Sequence, residues 1–244
     1  MSNGLLTMHT ASERPDLWER GIPSESVWPE YNLHGDVFAD WWAPLLEELP
    51  DYQFALYDDA ADGVLAEAHT GPLAWNGDPA ELPAGIDDAL QRVVTGRRDD
   101  RAVDTLCAFA AEVSPNARQR GLAGELLRGM RELAARHRLR RLIAPVRPSW
   151  KERYPLAAIE RYITWRREDG QLLDPWMRLH ERLGARVATA LPRSMRITAP
   201  SASGKPGPAW RSPSPAHTCS RTGWLPSRSI AKPTSAPTGN PTSG

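Results

Sequence analysis

The sequence predicts an α/β domain with a mixed central sheet flanked by helices. Three observations carry this prediction. Between Asp36 and Val146 the order is helix, strand pair, helix, strand, glycine turn, helix, strand, an alternation that buries a sheet between helical layers. The run Thr105–Val113 is almost wholly apolar and is halted by Ser114-Pro115, as a buried strand would be. At 244 residues the chain has ample length to bury a core of its own.

Each element has its own local reason. Residues 1–32 show no period and carry Trp18 and Trp28 among Pro and Glu, so they read as irregular chain lying across the body. Asp36–Leu49 repeats Val37, Trp41, Leu45 and Leu49 every fourth residue behind an acidic start, which predicts a helix. Tyr52–Tyr57 alternates as a strand, and Asp58–Gly63 is a turn. Val64–His69 is a second strand, extended towards Trp75 after a break at Gly71-Pro72, and Asn76–Pro83 is a loop. Gly85–Thr95 places Ile86, Leu90 and Val93 on one helical face. A strand over 103–113 follows, then a helix from Leu122 to about Arg138 with Leu126, Met130, Leu133 and Ala134 inward, then the strand Leu142–Val146.

Composition excludes several classes. The formal net charge is zero, yet residues 199–244 contain no Asp or Glu and five basic residues, Lys205, Arg211, Arg221, Arg228 and Lys232. Setting those aside leaves 25 basic against 30 acidic residues over 1–198, a net charge of −5. A mildly acidic body argues against nucleic-acid binding. Cys107 and Cys219 form no disulfide framework, and Cys107 reads as a small buried hydrophobe. The N-terminus lacks the charged start and apolar core of a signal peptide, and no apolar run reaches membrane-spanning length. The expectation is a cytoplasmic protein with no membrane or metal partner, monomeric or homodimeric.

The segment that carries chemistry is Arg118-Gln119-Arg120-Gly121-Leu122-Ala123, between the 105–113 strand and the long helix. Such a turn leaves backbone N–H groups unpaired at the positive end of a helix dipole and can cradle a pyrophosphate. A Cβ at Gly121 would hold the backbone away from the ligand, and Ala123 keeps the first helical turn small. The hexapeptide fits the pattern Arg/Gln-x-x-Gly-x-Gly/Ala, and in this it resembles the acetyl-CoA-dependent N-acetyltransferases of the GCN5-related (GNAT) superfamily. A second match is Leu179-His180-Glu181-Arg182-Leu183-Gly184-Ala185, similar to the Phe-Tyr-x-x-Leu-Gly-Phe end of that family's last helix, with Gly184 as the C-cap.

The resemblance implies the acyl-CoA N-acyltransferase fold, in which two parallel strands splay apart and the pantetheine arm lies between them. Here those strands are 105–113 and 142–146. The backbone of Gln119–Gly124 would hold the pyrophosphate, making Arg118, Gln119, Arg120, Gly121, Leu122, Ala123 and Gly124 the cofactor-binding residues. The strand end at Val113 would hold the pantetheine and polarise the thioester carbonyl. Acetyl-CoA is the implied co-substrate and a primary amine the acceptor, attacked directly. Relatives use a Tyr to protonate the departing thiolate; this chain has His180 at that position, whose imidazole can transfer a proton. Glu112, near the end of the splayed strand, is the candidate base. Strand alternation groups it with Leu106, Ala108 and Ala110, an apolar row that would raise its pKa. Glu67 and Asp104 have no special spacing.

An insertion, Arg147–Asp174, follows the second strand, with a helix expected over Pro155–Arg167. Its Arg147, Trp150 and Tyr154 are candidate acceptor-binding residues, or else parts of a packed hairpin. Its sequence resembles an actinobacterial-type subgroup of acetyltransferases. Pro192–Thr198 reads as the last strand. From 199 the chain is rich in Pro, Ser, Thr and Gly, with nine prolines in 46 residues, and reads as a disordered tail. Relatives sharing Pro-Arg-Ser-Met-x-Ile-Thr continue with an acidic segment, so a change of reading frame near 199 would account for the tail. The competing class is a non-catalytic acyl-CoA-binding domain that kept the turn and lost the chemistry.

Overall fold

A computed structural model describes residues 6–22, 28, 35–197 and 221–226, the last six as backbone. The strands are β1 (Leu6–Thr10), β2 (Gln53–Asp58), β3 (Gly63–Leu73), β4 (Thr105–Val113), β5 (Arg141–Val146), β6 (Ala185–Leu191) and β7 (Arg221–Pro226). They form one sheet in the order β1-β2-β3-β4-β5-β7-β6. The helices are α1 (Pro15–Arg20), α2 (Asp36–Glu48), α3 (Ile86–Arg98), α4 (Leu122–Arg136), α5 (Ile159–Tyr162) and α6 (Pro175–Arg182). Every pairing is antiparallel except that of β4 with β5, which is parallel.

Two cores lie on opposite faces of the sheet. On one face α2 and α3 bury Leu45, Leu90 and Val93 against Leu73, Cys107 and Phe109. On the other, α4 buries Leu126, Met130 and Leu133 against Phe54, Ala68 and Leu106. The helical spacing of those α4 residues is therefore a buried stripe, as its sequence requires. A third cluster, around Tyr162, Ile163 and Met177, packs the insertion against β5 and α6. Cys107 is fully buried, and burial pushes its thiol pKa far up.

Several expectations need correction. The first 32 residues are not wholly irregular: β1 pairs with β2 from Leu6↔Asp58 to Thr10↔Phe54, and α1 packs Leu17 into the interior. Gly71-Pro72 does not interrupt β3. A Cβ at Gly71 would overlap Val93 and approach Leu45 Cδ1 to 3.1 Å, so glycine here lets α2 and α3 lie close on the strand. The insertion forms the four-residue α5 rather than a helix over 155–167.

Residues 192–197 of the expected strand are not a strand, Thr198 lying outside the described residues; after α6 the chain forms β6 instead. Residues 194–196 instead form a strap over two helix N-termini, whose first N–H groups need acceptors from outside the helix. Ser194 Oγ accepts from Ile86 N–H at 3.0 Å, and the Ser194 carbonyl accepts from Asp87 N–H at 3.3 Å. The Arg196 carbonyl accepts from Asp36 N–H at 3.0 Å, while the Arg196 guanidinium meets Asp36 Oδ2 at 2.9 Å. Arg221–Pro226, within the segment read as a tail, form β7 and fill the place between β5 and β6. Both neighbours would otherwise present unpaired backbone there. The other residues of 199–244, and with them the expectation of a disordered tail, lie outside the described residues.

Candidate functional site

Two geometric features build the site. The first is the parting of β4 and β5. They pair at Thr105↔Arg141, Leu106↔Leu142 and Cys107↔Ile143, and no further. From Ala108 onward the β5-facing edge of β4 pairs with no strand among the described residues. The cause is in β4: its register with β3 shifts between His69 and Thr70, His69 facing Ala110 and Thr70 facing Ala108, so Phe109 is an extra residue. A bulge bends its strand and tightens the local twist, which turns β4 away from β5.

The bulge also changes which side chains share a face. Leu106 and Ala108 pack with α4, whereas Cys107 and Phe109 pack with α2 and α3. Beyond the bulge the parity inverts. Val113 and Ala111 now lie on the α4 side, and Glu112 stands beside Glu67, its direct partner across the ladder. The expected grouping of Glu112 with Leu106, Ala108 and Ala110 is thus corrected. Uninterrupted alternation does not hold in this strand.

The second feature is the turn. Gly121 has φ +78°, the left-handed region, and a Cβ there would meet no atom within 4 Å. Glycine is needed for the backbone conformation, and the space beside it is open. Gln119 also sits in the left-handed region, at φ +66°. Among the described residues the N–H groups of Gln119, Arg120, Gly121, Leu122 and Ala123 donate to no backbone carbonyl; Gly124 N–H donates to Gly121 O at 2.9 Å. They cluster at the positive end of the fifteen-residue α4, an arrangement suited to a phosphate. Arg118 is exposed. Arg120 Nη2 reaches Asp58 Oδ2 at 3.1 Å, across the end of β2, and holds that carboxyl below its ordinary pKa.

Between the turn and the sheet, the gap left by β4 and β5 contains a cavity of about 40 Å³ lined by Ala108, Met130, Ile143, Ala144 and His180 among others. His180 therefore lies on the α4 side, its ring edge-on to Trp176 at 4.5 Å. Burial lowers its pKa to about 4. At neutral pH it is an uncharged imidazole, able to donate one N–H but not to act as a stored imidazolium. The sign of the linkage follows. Above pH 6.5 folded and unfolded chains both carry neutral His180. As pH falls towards 4, only the unfolded chain takes up the proton, and stability drops by up to about 3 kcal/mol. Urea unfolding of His180→Gln and wild type at pH 7.5 and pH 4.5 is expected to show the smaller acid loss in the variant.

On the opposite face Glu112, Glu67 and His69 form a buried cluster, exposed by 3%, 5% and 5% respectively. His69 Nε2 stands 3.5 Å from Glu112 Oε1, and Glu67 Oε1 accepts from Ile22 N–H at 2.9 Å. Trp18 of α1 and Trp42 of α2 pack their rings on His69 at 5.3 and 4.9 Å, and Phe38 stacks on Trp42 at 4.3 Å. Burial is the main cause that raises Glu67 to about pKa 7, reinforced by the Glu112 charge and opposed by His69. Sequence reasoning passed over Glu67 and His69. Their signal was the i, i+2 spacing on a strand facing Glu112, legible only once the register was known.

The candidate acceptor residues of the insertion are placed elsewhere. Trp150 N–H donates to Asp174 Oδ2 at 2.7 Å, and Arg153 lies over the Trp150 ring at 4.6 Å. Tyr154 packs on Tyr162 and Trp165. These contacts are internal to the insertion, centred on buried Asp174, which also caps α6 through Trp176 and Met177 N–H. Arg147 is half-buried just past β5. Among the described residues no group of His, Cys, Asp and Glu could hold a metal, and no helix is long and apolar enough to cross a membrane.

No model of a known protein family matches the sequence. A relative named arginine N-acetyltransferase, from Aspergillus versicolor, is 29% identical over 215 residues, which cover 79% of this chain and 72% of the relative. Among solved structures, the loading GNATL domain of CurA from Lyngbya majuscula aligns with a TM-score of 0.63 at 15% identity, covering 91% of this chain and 97% of that one. A GNAT-like decarboxylase, GphF, in complex with isobutyryl-CoA, aligns at 0.60 and 15%, over the same shares. The chain therefore shares the fold of these GNAT domains along almost their whole length, and over most of its own length it is similar in sequence to an N-acetyltransferase.

Proposed function

We propose that the protein transfers an acetyl group from acetyl-CoA to a primary amine by direct attack on the thioester. The observation that supports it best is the parting of β4 and β5 beside the Gly121 turn, with a buried carboxylate cluster on the other face of the same strand. In this reading the N–H groups of Gln119–Ala123 hold the pyrophosphate, with Gly124 on the same helical turn. Arg118 lies beside them, and Arg120 braces the turn through Asp58. The edge of β4 beyond its pairing with β5, up to Val113, hydrogen-bonds the pantetheine arm, and one of its N–H groups polarises the thioester carbonyl.

An acceptor arrives protonated and must lose a proton before its nitrogen can attack. Glu112 takes that proton; the C–N bond forms as the C–S bond breaks, and the thiolate leaves on the side of His180. Neutral His180 steadies the leaving sulfur with an N–H hydrogen bond, and the thiolate takes its proton from the nitrogen that has become an amide or through water. The relative named for arginine, together with an acidic site walled by Trp18 and Trp42, supports an acceptor with cationic character. Arg147, Trp150 and Tyr154 act in this reading by fixing the insertion rather than by touching the acceptor.

Mixing the protein with acetyl-CoA and a panel of arginine, agmatine, simple alkylamines and peptides, with thiol release followed, tests the proposal. Turnover on at least one amine is the expected result. Tight CoA binding without turnover on any amine would leave only a binding module. The absence of a thermal shift with CoA would remove the cofactor site as well.

A further inference from the structure

The angle at which β4 and β5 part is walled by alanine. Their pairing ends at Cys107↔Ile143, so Ala108 and Ala144 come next on either side, and both line the cavity of about 40 Å³. Ala185, the first residue of β6, lines it as well. Three methyl side chains, where larger ones would close the wedge, leave the space open. The rest of the wall is largely apolar, with Leu127 and Met130 of α4 and Leu183 beyond α6. Arg131 is exposed and turns its guanidinium to the Leu183 carbonyl at 3.2 Å, so its charge stays at the surface. His180 adds an imidazole that burial keeps uncharged at neutral pH. A space so lined stays dry and takes apolar groups. One water-sized group needs about 10–15 Å³ of such space, so about three groups of that size fit.

In the acetyl-transfer reading above, on which this inference rests, the pantetheine arm enters from the Gly121 turn and runs along the edge of β4. Its thioester end is then the part that reaches the closed end of the wedge. We propose that the cavity is an acyl pocket, and that the donors this protein accepts run from acetyl-CoA up to butyryl-CoA, the straight four-carbon chain being bound best. Acetyl places one carbon beyond the carbonyl, propionyl two and butyryl three, which fills the space. Hexanoyl places five and overfills it. A succinyl chain has the length of butyryl but ends in a carboxylate, and an apolar wall offers that charge no partner. The transfer itself keeps its balance with the longer chain. The ammonium gives one proton to Glu112 and thence to solvent, the C–N bond forms as the C–S bond breaks, and the thiolate takes the nitrogen's second proton.

Calorimetric titration with CoA and with acetyl-, propionyl-, butyryl-, hexanoyl- and succinyl-CoA, in the absence of an acceptor, reads the pocket directly. Affinity is expected to rise about fourfold for each methylene from acetyl to butyryl, and to fall about tenfold at hexanoyl. Succinyl-CoA should bind about tenfold more weakly than butyryl-CoA. With any amine that wild type acylates, kcat/KM should follow the same order. Ala144→Val and Ala185→Val each take two carbons of the space, and in either the butyryl-to-acetyl affinity ratio is expected to fall from about 16 to about 1. Equal affinity of wild type for acetyl- and butyryl-CoA, still tighter binding of hexanoyl-CoA, succinyl-CoA bound as well as butyryl-CoA, or a ratio unmoved in the folded variants would overturn the pocket. So would an equal loss for CoA and every acyl-CoA in the variants, which would make the cavity a slot for the pantetheine arm. If one variant does not fold, the other and the wild-type series decide. Should the acyl-CoAs bind in the expected order while no amine is acylated, the transfer reading fails and the acyl pocket stands; absence of binding by all of them would remove both.

Discussion

Replacing Glu112 with Gln is expected to lower kcat/KM for the acceptor by about 10²- to 10⁴-fold, the range typical of a lost general base. The substitution keeps the size of the side chain and a polar group beside His69 Nε2, which now lies 3.5 Å from Glu112 Oε1. It removes only the capacity to accept a proton. CoA binding should persist, because the turn at Gln119–Ala123 and the β4 edge beyond Cys107 offer backbone groups, which the substitution leaves in place. The loss corresponds to about 3–5 kcal/mol of transition-state stabilisation. Steady-state kinetics and a CoA titration on the same preparation decide the matter. Weakened CoA binding with kcat intact would place Glu112 in the cofactor site instead, and unchanged kinetics would remove it from the chemistry.

The largest effect on folding is expected from Gly85→Ala. Gly85 is extended, so its conformation suits any residue; the obstacle is space. A Cβ would overlap the Cα and carbonyl oxygen of Ser194 and come within 2.7 Å of its carbonyl carbon. Backbone cannot rotate out of the way as a side chain can. The strap must lift, and it takes with it the Ser194 Oγ acceptor that caps Ile86 N–H and the Arg196 N–H bond to Asp87 Oδ2 at 2.8 Å. A lost cap costs about 1 kcal/mol and overpacking about 1–3 kcal/mol, so destabilisation of about 2–4 kcal/mol is expected. In a domain of this size that lowers Tm by about 4–16 °C, readable by calorimetry. Gly85→Ala with wild-type Tm would mean that the strap lies away from α3.

Elements that bury a long single face were legible in the sequence. The helix expected over 36–49 and that over 122–138 match α2 and α4 within two residues, because Leu45, Leu126, Met130 and Leu133 repeat at helical spacing. Apolar β4 and the glycine turn were legible for the same reason: each is dictated by local chemistry. What failed depended on partners distant in sequence. Leu6–Thr10 is a strand because β2 offers an edge, not because five residues specify one. Arg193–Arg196 looked like a strand, but its polar groups answer the open N–H groups of Asp36, Ile86 and Asp87. In the site, Glu112 was found while Glu67 and His69 were not. The residue that joins the three is Phe109, whose surplus position in the ladder has no mark in the sequence.

That surplus residue divides β4 into two reading frames. Before it, even-numbered side chains serve the α4 core; after it, they face the side of Glu67 and His69. A single-residue deletion at 109 would restore uninterrupted alternation and leave Glu112 opposite Glu67, yet it would remove the bulge and with it the bend that turns β4 away from β5. A relative without the surplus residue would keep the same cross-strand partners and lose the gap between the two strands. In this strand the count of residues, and not only their kind, is a heritable determinant of chemistry.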